Sequence, residues 1–319
     1  MTPEADHRRG PFRPGDRVQL TDAKGRHQTF VLASDGDFHT HRGVLRHNDV
    51  IGCEEGSVVR NSAGVEYLTL RPLLSDYVLS MPRGAAVIYP KDAAQIVGAA
   101  DIFPGAKVVE AGVGSGALSM SLLRAIGETG SLLSVERRED FADIARANVA
   151  GHLGAEPPTW TVEIGDFADV AGSREAACVD RVVLDMLAPW ENLEAAAHIL
   201  RPGGVFVAYV ATTTQLSRLA EALREHGSFT EPEAWENMVR SWHLEGLAVR
   251  PNHSMVGHTG FLLKTRRMAP GVTAPIRHRR PAKGAYPATS DWSAEELGER
   301  PVSDKKVRRL RRQAREGEN

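Results

Sequence analysis

The chain has 319 residues, 42% hydrophobic and 25% charged, with a formal net charge of −2, which suits one large globular domain plus a small one and excludes a fibrous or wholly disordered chain. Two cysteines, Cys53 and Cys178, are too few for a disulfide framework or a cysteine-based zinc site and fit a reducing cytoplasm; no run nears the ~20 apolar residues of a membrane span, and residues 1–9 lack the apolar core of a signal peptide. The charge is uneven: from residue 264 onward 15 lysines and arginines face 7 acidic residues, leaving 24 against 34 in the rest, and a basic tail on an acidic body fits a polyanionic partner.

Residues 1–80 predict a small β-barrel-like domain. Apolar or alternating stretches at 16–20, 29–32, 58–59 and 65–70 are separated by turn chemistry at 22–25, 34–37 and 61–64. His27, His39, His41 and His47 fall here, but no carboxylate or cysteine completes a metal set. They are expected on the surface or facing RNA, and no metal site is expected. Residues 82–92 join this domain to the next, and a helix is expected from Asp92, whose side chain can cap it.

From Lys107 the pattern becomes β-α-β-α. Strands are predicted at 107–111, 131–136, 160–164, 180–185 and 204–210, and helices at 116–126, 139–150, 191–200 and 214–226. That alternation implies a parallel sheet covered on both faces, with ligands beyond the carboxyl ends of the strands. The first strand opens into Gly112-x-Gly114-x-Gly116 and then a helix. Such a turn lets a ligand lie against bare backbone at a helix N-terminus. Dinucleotide sites want G-x-G-x-x-G, whereas Glu110 followed by G-x-G-x-G resembles motif I of S-adenosylmethionine-dependent methyltransferases. Candidate cofactor contacts are Gly112, Val113, Gly114, Ser115, Gly116, Ala117 and Leu118.

Glu110, Glu136, Asp166 and Asp185 are the acidic residues expected at the strand ends. Glu136 can accept from both ribose hydroxyls, which NAD and S-adenosylmethionine share. Asp166 can accept from an adenine amino group, with Phe167 and Phe141 packing on the adenine faces. Asp185 leads into Met-Leu-Ala-Pro-Trp190, at the place where class I methyltransferases handle the acceptor. This differs from the Asn/Asp-Pro-Pro-aromatic sequence of N6-adenine enzymes. The Arg201-Pro-Gly-Gly204 turn also looks like a methyltransferase feature. Residues 246–250 and 260–264 predict a final hairpin with 251–259 as its tip. The catalytic domain is expected to span 81–267, and the proline-rich, basic residues 268–319 to form a disordered tail.

Five segments beside the N-terminal β domain carry a resemblance. They are Val87-Ile-Tyr-Pro-Lys-Asp92, Glu110-Ala-Gly-Val-Gly-Ser-Gly116, Leu184-Asp-Met-Leu-Ala-Pro-Trp-Glu191, Tyr209-Val-Ala-Thr-Thr-Thr-Gln215 and Val256-Gly-His-Thr-Gly-Phe261. Over residues 12–267 the chain resembles the tRNA (adenine(58)-N(1))-methyltransferases of the bacterial and archaeal homotetrameric type, most of all their actinobacterial members. The resemblance implies a class I methyltransferase fold, Rossmann-like, with a mostly parallel seven-stranded sheet. It implies S-adenosylmethionine held at Gly112 to Leu118, Glu136 and Asp166, with Asp185 beside both methyl donor and target base. It also implies a homotetramer and an adenine flipped from the tRNA T-loop. Tyr89 and Tyr209 are candidates to sandwich that base. Where relatives often carry a glutamine the chain has Ala86, and Gln95 is the candidate to supply the contact. Three alternatives stay open. One is another class I RNA or small-molecule methyltransferase. The second is an NAD-dependent oxidoreductase, which would want a third glycine one residue later. The third is a non-catalytic RNA-binding subunit, against which the intact Glu110, glycines and Asp185 argue.

Overall fold

The computed structural model describes residues 8–84 and 86–275, and the basic tail from 276 onward lies outside them. The first sheet is antiparallel, in the order β2 (His27–Val31), β1 (Arg17–Thr21), β6 (Glu66–Leu70), β5 (Val58–Arg60). Alternate residues of these strands, Val18, Leu20, Val59 and Tyr67, close a core with Phe12, Leu32, Leu45 and Val50. A second hairpin, β3 (Asp37–Thr40) and β4 (Gly43–Arg46), was not expected. Its polar, histidine-rich residues hide the alternation. Thr40 and Gly43 pair across a two-residue turn, and Thr40 Oγ1 donates to the Gly43 carbonyl at 2.7 Å. The expected small β domain forms, its strands divided between a four-stranded sheet and this hairpin around one core. His47 corrects another expectation. It is buried in this domain, its Nδ1 accepting from the Ala33 N–H at 3.0 Å and its ring stacked on Phe30.

Helix α1 (Leu74–Ser80) follows, and Tyr77 on it enters the core of the larger sheet. Its hydroxyl donates to the Asn148 carbonyl at 2.9 Å, while Asn148 Nδ2 donates to the Pro82 and Ser115 carbonyls. These bonds fix the connection that delivers Ala86 to Tyr89 to the site. Helix α2 (Pro90–Ala99) starts two residues before the predicted Asp92, because Pro90 at its first position suits the helical φ. Asp92 does not cap it; it is fully buried in the first turn.

The larger sheet has seven strands, in the order β12 (Glu233–Trp235), β15 (Phe261–Arg266), β11 (Leu200–Val210), β10 (Val179–Asp185), β7 (Lys107–Ala111), β8 (Ser131–Glu136), β9 (Trp160–Ile164). The five from β11 to β9 run parallel, and β15 is antiparallel to both β11 and β12. Helices α1, α2, α3 (Ala117–Ile126) and α4 (Glu139–Leu153) pack on one face. Helices α5 (Phe167–Gly172), α6 (Leu193–Ile199) and α7 (Thr213–His226) cover the other. The strand order reverses between β7 and β10, the place where such sheets open a crevice. The predicted late hairpin does not form. Residues 242–245, as β13 (Trp242–Glu245), pair with β14 (Ala248–Pro251), while β15 inserts into the main sheet. Leu262 and Leu263, adjacent and both buried, occupy the two faces of β15, which is the signature of an interior strand.

Candidate active site

The glycine turn after β7 is held in left-handed backbone, with φ of +87° at Gly112, +54° at Gly114 and +79° at Gly116. Each glycine has a different reason. A Cβ at Gly112 would fall 1.8 Å from the Asp185 carbonyl oxygen, so the ends of β7 and β10 touch through this residue. A Cβ at Gly116 would press on Ala145 of α4 at 3.2 Å. At Gly114 nothing lies within 4 Å, and its N–H donates to Glu136 Oε2 at 3.2 Å. Of the contacts predicted within the turn and the start of its helix, residues 112–118, Gly112 and Gly114 line the cavity beyond it. Val113, Ala117 and Leu118 turn into the core, and Ser115 is buried.

That cavity has a volume of about 960 Å3 and spans the carboxyl ends of β7, β8, β10 and β11. It brings together Tyr89, Glu136, Phe141, Asp166, Phe167, Asp185 and Tyr209. Glu136 ends β8, and its Oε1 accepts from the Arg138 N–H at 3.2 Å. Asp166 caps α5 through the Ala168 N–H at 3.0 Å and pairs with the Arg137 guanidinium; these bonds, the backbone one first, hold its carboxyl below the usual range. Both its oxygens are thus engaged, and an adenine amino group must share one of them. Phe141 lies under the Arg138 guanidinium, 4.0 Å from the ring centroid, while Phe167 is almost wholly buried at the cavity wall. Asp185 ends β10 directly opposite Tyr209 on β11. Burial, and then the Glu136 charge, push its carboxyl up to about 7. Burial likewise pushes the Tyr209 hydroxyl up to about 12, so the phenol stays neutral.

Two predicted residues lie elsewhere. Gln95 is exposed on α2 and does not line the cavity, whereas Ala86 does. Glu110 sits beneath the turn, 2% exposed, not at the strand end. The Ser119 and Ser134 hydroxyls both donate to its Oε1, and Trp160 Nε1 donates to Ser134 Oγ at 2.7 Å. Burial raises its carboxyl to about 7 against the lowering effect of those serines.

Sequence reasoning left out Gln215, His258 and Thr259, which complete the wall. Gln215 was legible as the fourth residue of a Thr-x-x-Gln capping box. Its Oε1 accepts from the Thr212 N–H at 3.0 Å, and its Nε2 donates to the Leu187 carbonyl at 2.9 Å, tying the loop after Asp185 to α7. His258 and Thr259 reach the cavity only because β15 enters the main sheet, which no local signal announces.

The residues fit an adenosyl sulfonium cofactor. Bare backbone at Gly114 faces open space, Glu136 stands where ribose hydroxyls can donate to it, and the recessed Asp185 carboxylate matches a cation. Among the described residues no group of three or more His, Cys, Asp or Glu can hold a metal ion, and no helix is long and apolar enough to cross a membrane. A seven-stranded sheet with one antiparallel insertion, and a glycine turn facing a strand-terminal glutamate, define a class I S-adenosylmethionine-dependent methyltransferase.

Comparisons with known proteins narrow the class. Residues 10–59 match the TrmI-like N-terminal family and residues 67–246 match the family described as tRNA methyltransferase complex GCD14 subunit. The chain is 37% identical to the tRNA (adenine(58)-N(1))-methyltransferase TrmI of Thermus thermophilus, over 78% of this chain and 95% of that one. It is similar to a solved SAM-dependent O-methyltransferase from Thermotoga maritima (TM-score 0.75, 31% identity, 81% and 95% of the two chains). It is also similar to the tRNA (m1A58) methyltransferase TrmI from Aquifex aeolicus (TM-score 0.71, 25% identity, 82% and 100%). The chain belongs to the tRNA (adenine(58)-N(1))-methyltransferase family of the TrmI type.

Proposed function

We infer that the protein transfers a methyl group from S-adenosylmethionine to N1 of adenine 58 in the T-loop of tRNA. One observation carries this beyond family membership: a single cavity joins the glycine turn and Glu136 to Asp185 and two tyrosines. Bound there, the cofactor supplies a methyl group activated by a sulfonium. In this reading Gly112 and Gly114 let it approach the backbone, Glu136 accepts from its ribose, and Asp166 and Phe141 border its adenine.

Adenine N1 carries a free lone pair, so the acceptor needs no prior deprotonation. Its methylated product is a cation. The Asp185 carboxylate accepts from the N6 amino group, stabilises the growing positive charge, and takes the N6 proton that methylation makes more acidic. Tyr89 and Tyr209 hold the base from its two sides. Fixing both reactants in line provides most of the acceleration. The target base is buried in folded tRNA, so the protein must draw it out of its stack.

We further propose that the protein acts as a homotetramer in the cytoplasm, where its two free cysteines stay reduced. The number four rests on the resemblance. An exposed apolar ribbon supports assembly: Trp242 pairs with Pro251 and Leu244 with Val249 on one face of the β13–β14 hairpin, and Leu247 at its tip is wholly exposed.

The test is methylation of unmodified tRNA with labelled cofactor, followed by nucleoside analysis. The product expected is 1-methyladenosine, lost when adenine 58 is replaced. Label in another nucleoside, or retained after that replacement, would overturn the assignment.

A further inference from the structure

Two of the segments that carry the resemblance, Val87-Ile-Tyr-Pro-Lys-Asp92 and Val256-Gly-His-Thr-Gly-Phe261, hold residues to which the mechanism gives no task. They meet behind Tyr209. Lys91 and Asp92 open α2 with side chains 8% and 1% exposed. Lys91 Nζ lies 2.8 and 3.0 Å from the two Asp92 oxygens, 2.6 Å from the Asn237 carbonyl and 2.6 Å from Thr259 Oγ1. Its three N–H bonds are all used: one on the carboxylate, one on the carbonyl and one on the hydroxyl. Asn237 Nδ2 donates back to the Lys91 carbonyl at 2.9 Å.

Thr259 then has a fixed polarity. Its single proton goes to Asp92 Oδ2 at 2.7 Å. One of its lone pairs accepts from Lys91 Nζ, so Thr259 is held from both sides. The Tyr209 ring meanwhile rests on bare backbone: a Cβ at Gly260 would fall 2.3 Å from Cζ of that ring. A buried lysine–aspartate pair is costly to desolvate and gives little net stability, so its persistence here asks for a reason other than folding.

We propose that Lys91 and Asp92 are positioning residues, which act through Thr259 to fix the Gly260 backbone and so the plane of the Tyr209 ring that rests on it, against which the acceptor base lies. The proposal rests on the reading of Tyr209 as a wall of the acceptor site. The tether runs from Asp92 to the Thr259 hydroxyl and through the chain to Gly260, with Lys91 balancing the charge. It spans the start of α2, the 237 loop and the entrance to β15, so all three move with the ring or not at all. The cofactor half of the cavity lies outside it.

The experiment is a double-mutant cycle on the full chain, read by single-turnover methylation of tRNA with cofactor affinity measured by calorimetry. Thr259→Val removes the hydroxyl at constant size and should slow methyl transfer about 10-fold, within the range of coupled neighbours, and leave cofactor affinity unchanged. Thr259→Ser keeps the hydroxyl and should restore the rate. Asp92→Asn should show the same loss, and adding Thr259→Val to it should cost nothing more. If Thr259→Val does not fold, Gly260→Ala, whose Cβ displaces the Tyr209 ring, decides, because a wild-type rate there removes the tether from the reaction. Additive losses, or a defect confined to cofactor binding, would also overturn the proposal. A wild-type protein inactive on tRNA would instead overturn the functional reading, and the tether with it.

Discussion

Asp185 and Glu136 line one cavity, and the Glu136 charge acts on the Asp185 carboxyl. Burial and the Glu136 charge raise the Asp185 carboxyl from 3.8 to about 7. Between those values the folded protein keeps a proton that the unfolded chain has released. The stability tied to this group is therefore complete below 3.8 and lost as pH rises through about 7. Asp185→Asn should raise stability at pH 8 by about 1–3 kcal/mol, discounted from the full shift because the carboxylate faces an open cavity, and change nothing near pH 3. Thermal melts at the two pH values check this. The same variant should slow single-turnover methylation by about 100-fold or more, the usual cost of removing a positioned acid–base or electrostatic group. Because the charged form is the active one, wild-type activity should rise with pH through about 7 in the free enzyme, and at lower pH once a cationic ligand is bound. The variant should lack that rise. Of the four acidic residues expected at strand ends, Glu136, Asp166 and Asp185 line the cavity and Glu110 does not. The side chains of Ala117 and Leu118, at the start of α3, face the core, and that of Ser115 is buried before it.

The elements show the same division. The β-α-β-α run from Lys107 was legible because each strand and helix carries its own period and caps. The register that makes the site was not. Gly112 and Gly114 both line the cavity, yet the Cβ position of Gly112 is occupied by the Asp185 carbonyl, while that of Gly114 is open. Alanine at the two positions should therefore fail in different ways. Gly112→Ala should cost more than about 4 kcal/mol, since backbone must move to relieve a 1.8 Å contact. Gly114→Ala should cost about 1–2 kcal/mol for its left-handed backbone, fold, and lose cofactor affinity. Denaturant melts and calorimetry separate the two outcomes; equal destabilisation would contradict the roles assigned here. The late strands were misread for a related reason. Residues 246–250 and 260–264 are both apolar and flank a polar stretch, which is all a hairpin needs locally. The pairing is decided instead by burial of both Leu262 and Leu263, which demands a neighbour on each side, while β14 finds its partner across the short turn at Gly246-Leu247.

At the scale of the whole molecule, an exposed apolar ribbon and a basic stretch of sequence both call for partners. The β13–β14 ribbon exposes Trp242, Leu244 and Leu247, which a lone chain has no reason to display. Leu244→Asp with Leu247→Asp should lower the oligomeric state measured by light scattering and leave the monomer folded; an unchanged assembly would show that other surfaces hold it. The tail acts differently. Residues 270–319 carry 12 lysines and arginines against 7 acidic residues, while the remainder of the chain is acidic. An acidic cavity suits a sulfonium but repels phosphates, so basic groups away from it are needed to draw in a polyanion. Their contribution is counterion release, which depends on salt and not on the chemistry of methyl transfer. Deleting 270–319 should raise the apparent KM for tRNA and flatten its dependence on salt, by about 0.9 in the log–log slope for each duplex phosphate that the tail had neutralised. The maximal rate should hold, because Asp185, Tyr89 and Tyr209 stay in place. Steady-state kinetics across a salt series measure both quantities. Loss of turnover at saturating tRNA would mean that the tail reaches into the acceptor site; an unchanged KM at every salt concentration would mean that the phosphates are gripped by the folded domains alone.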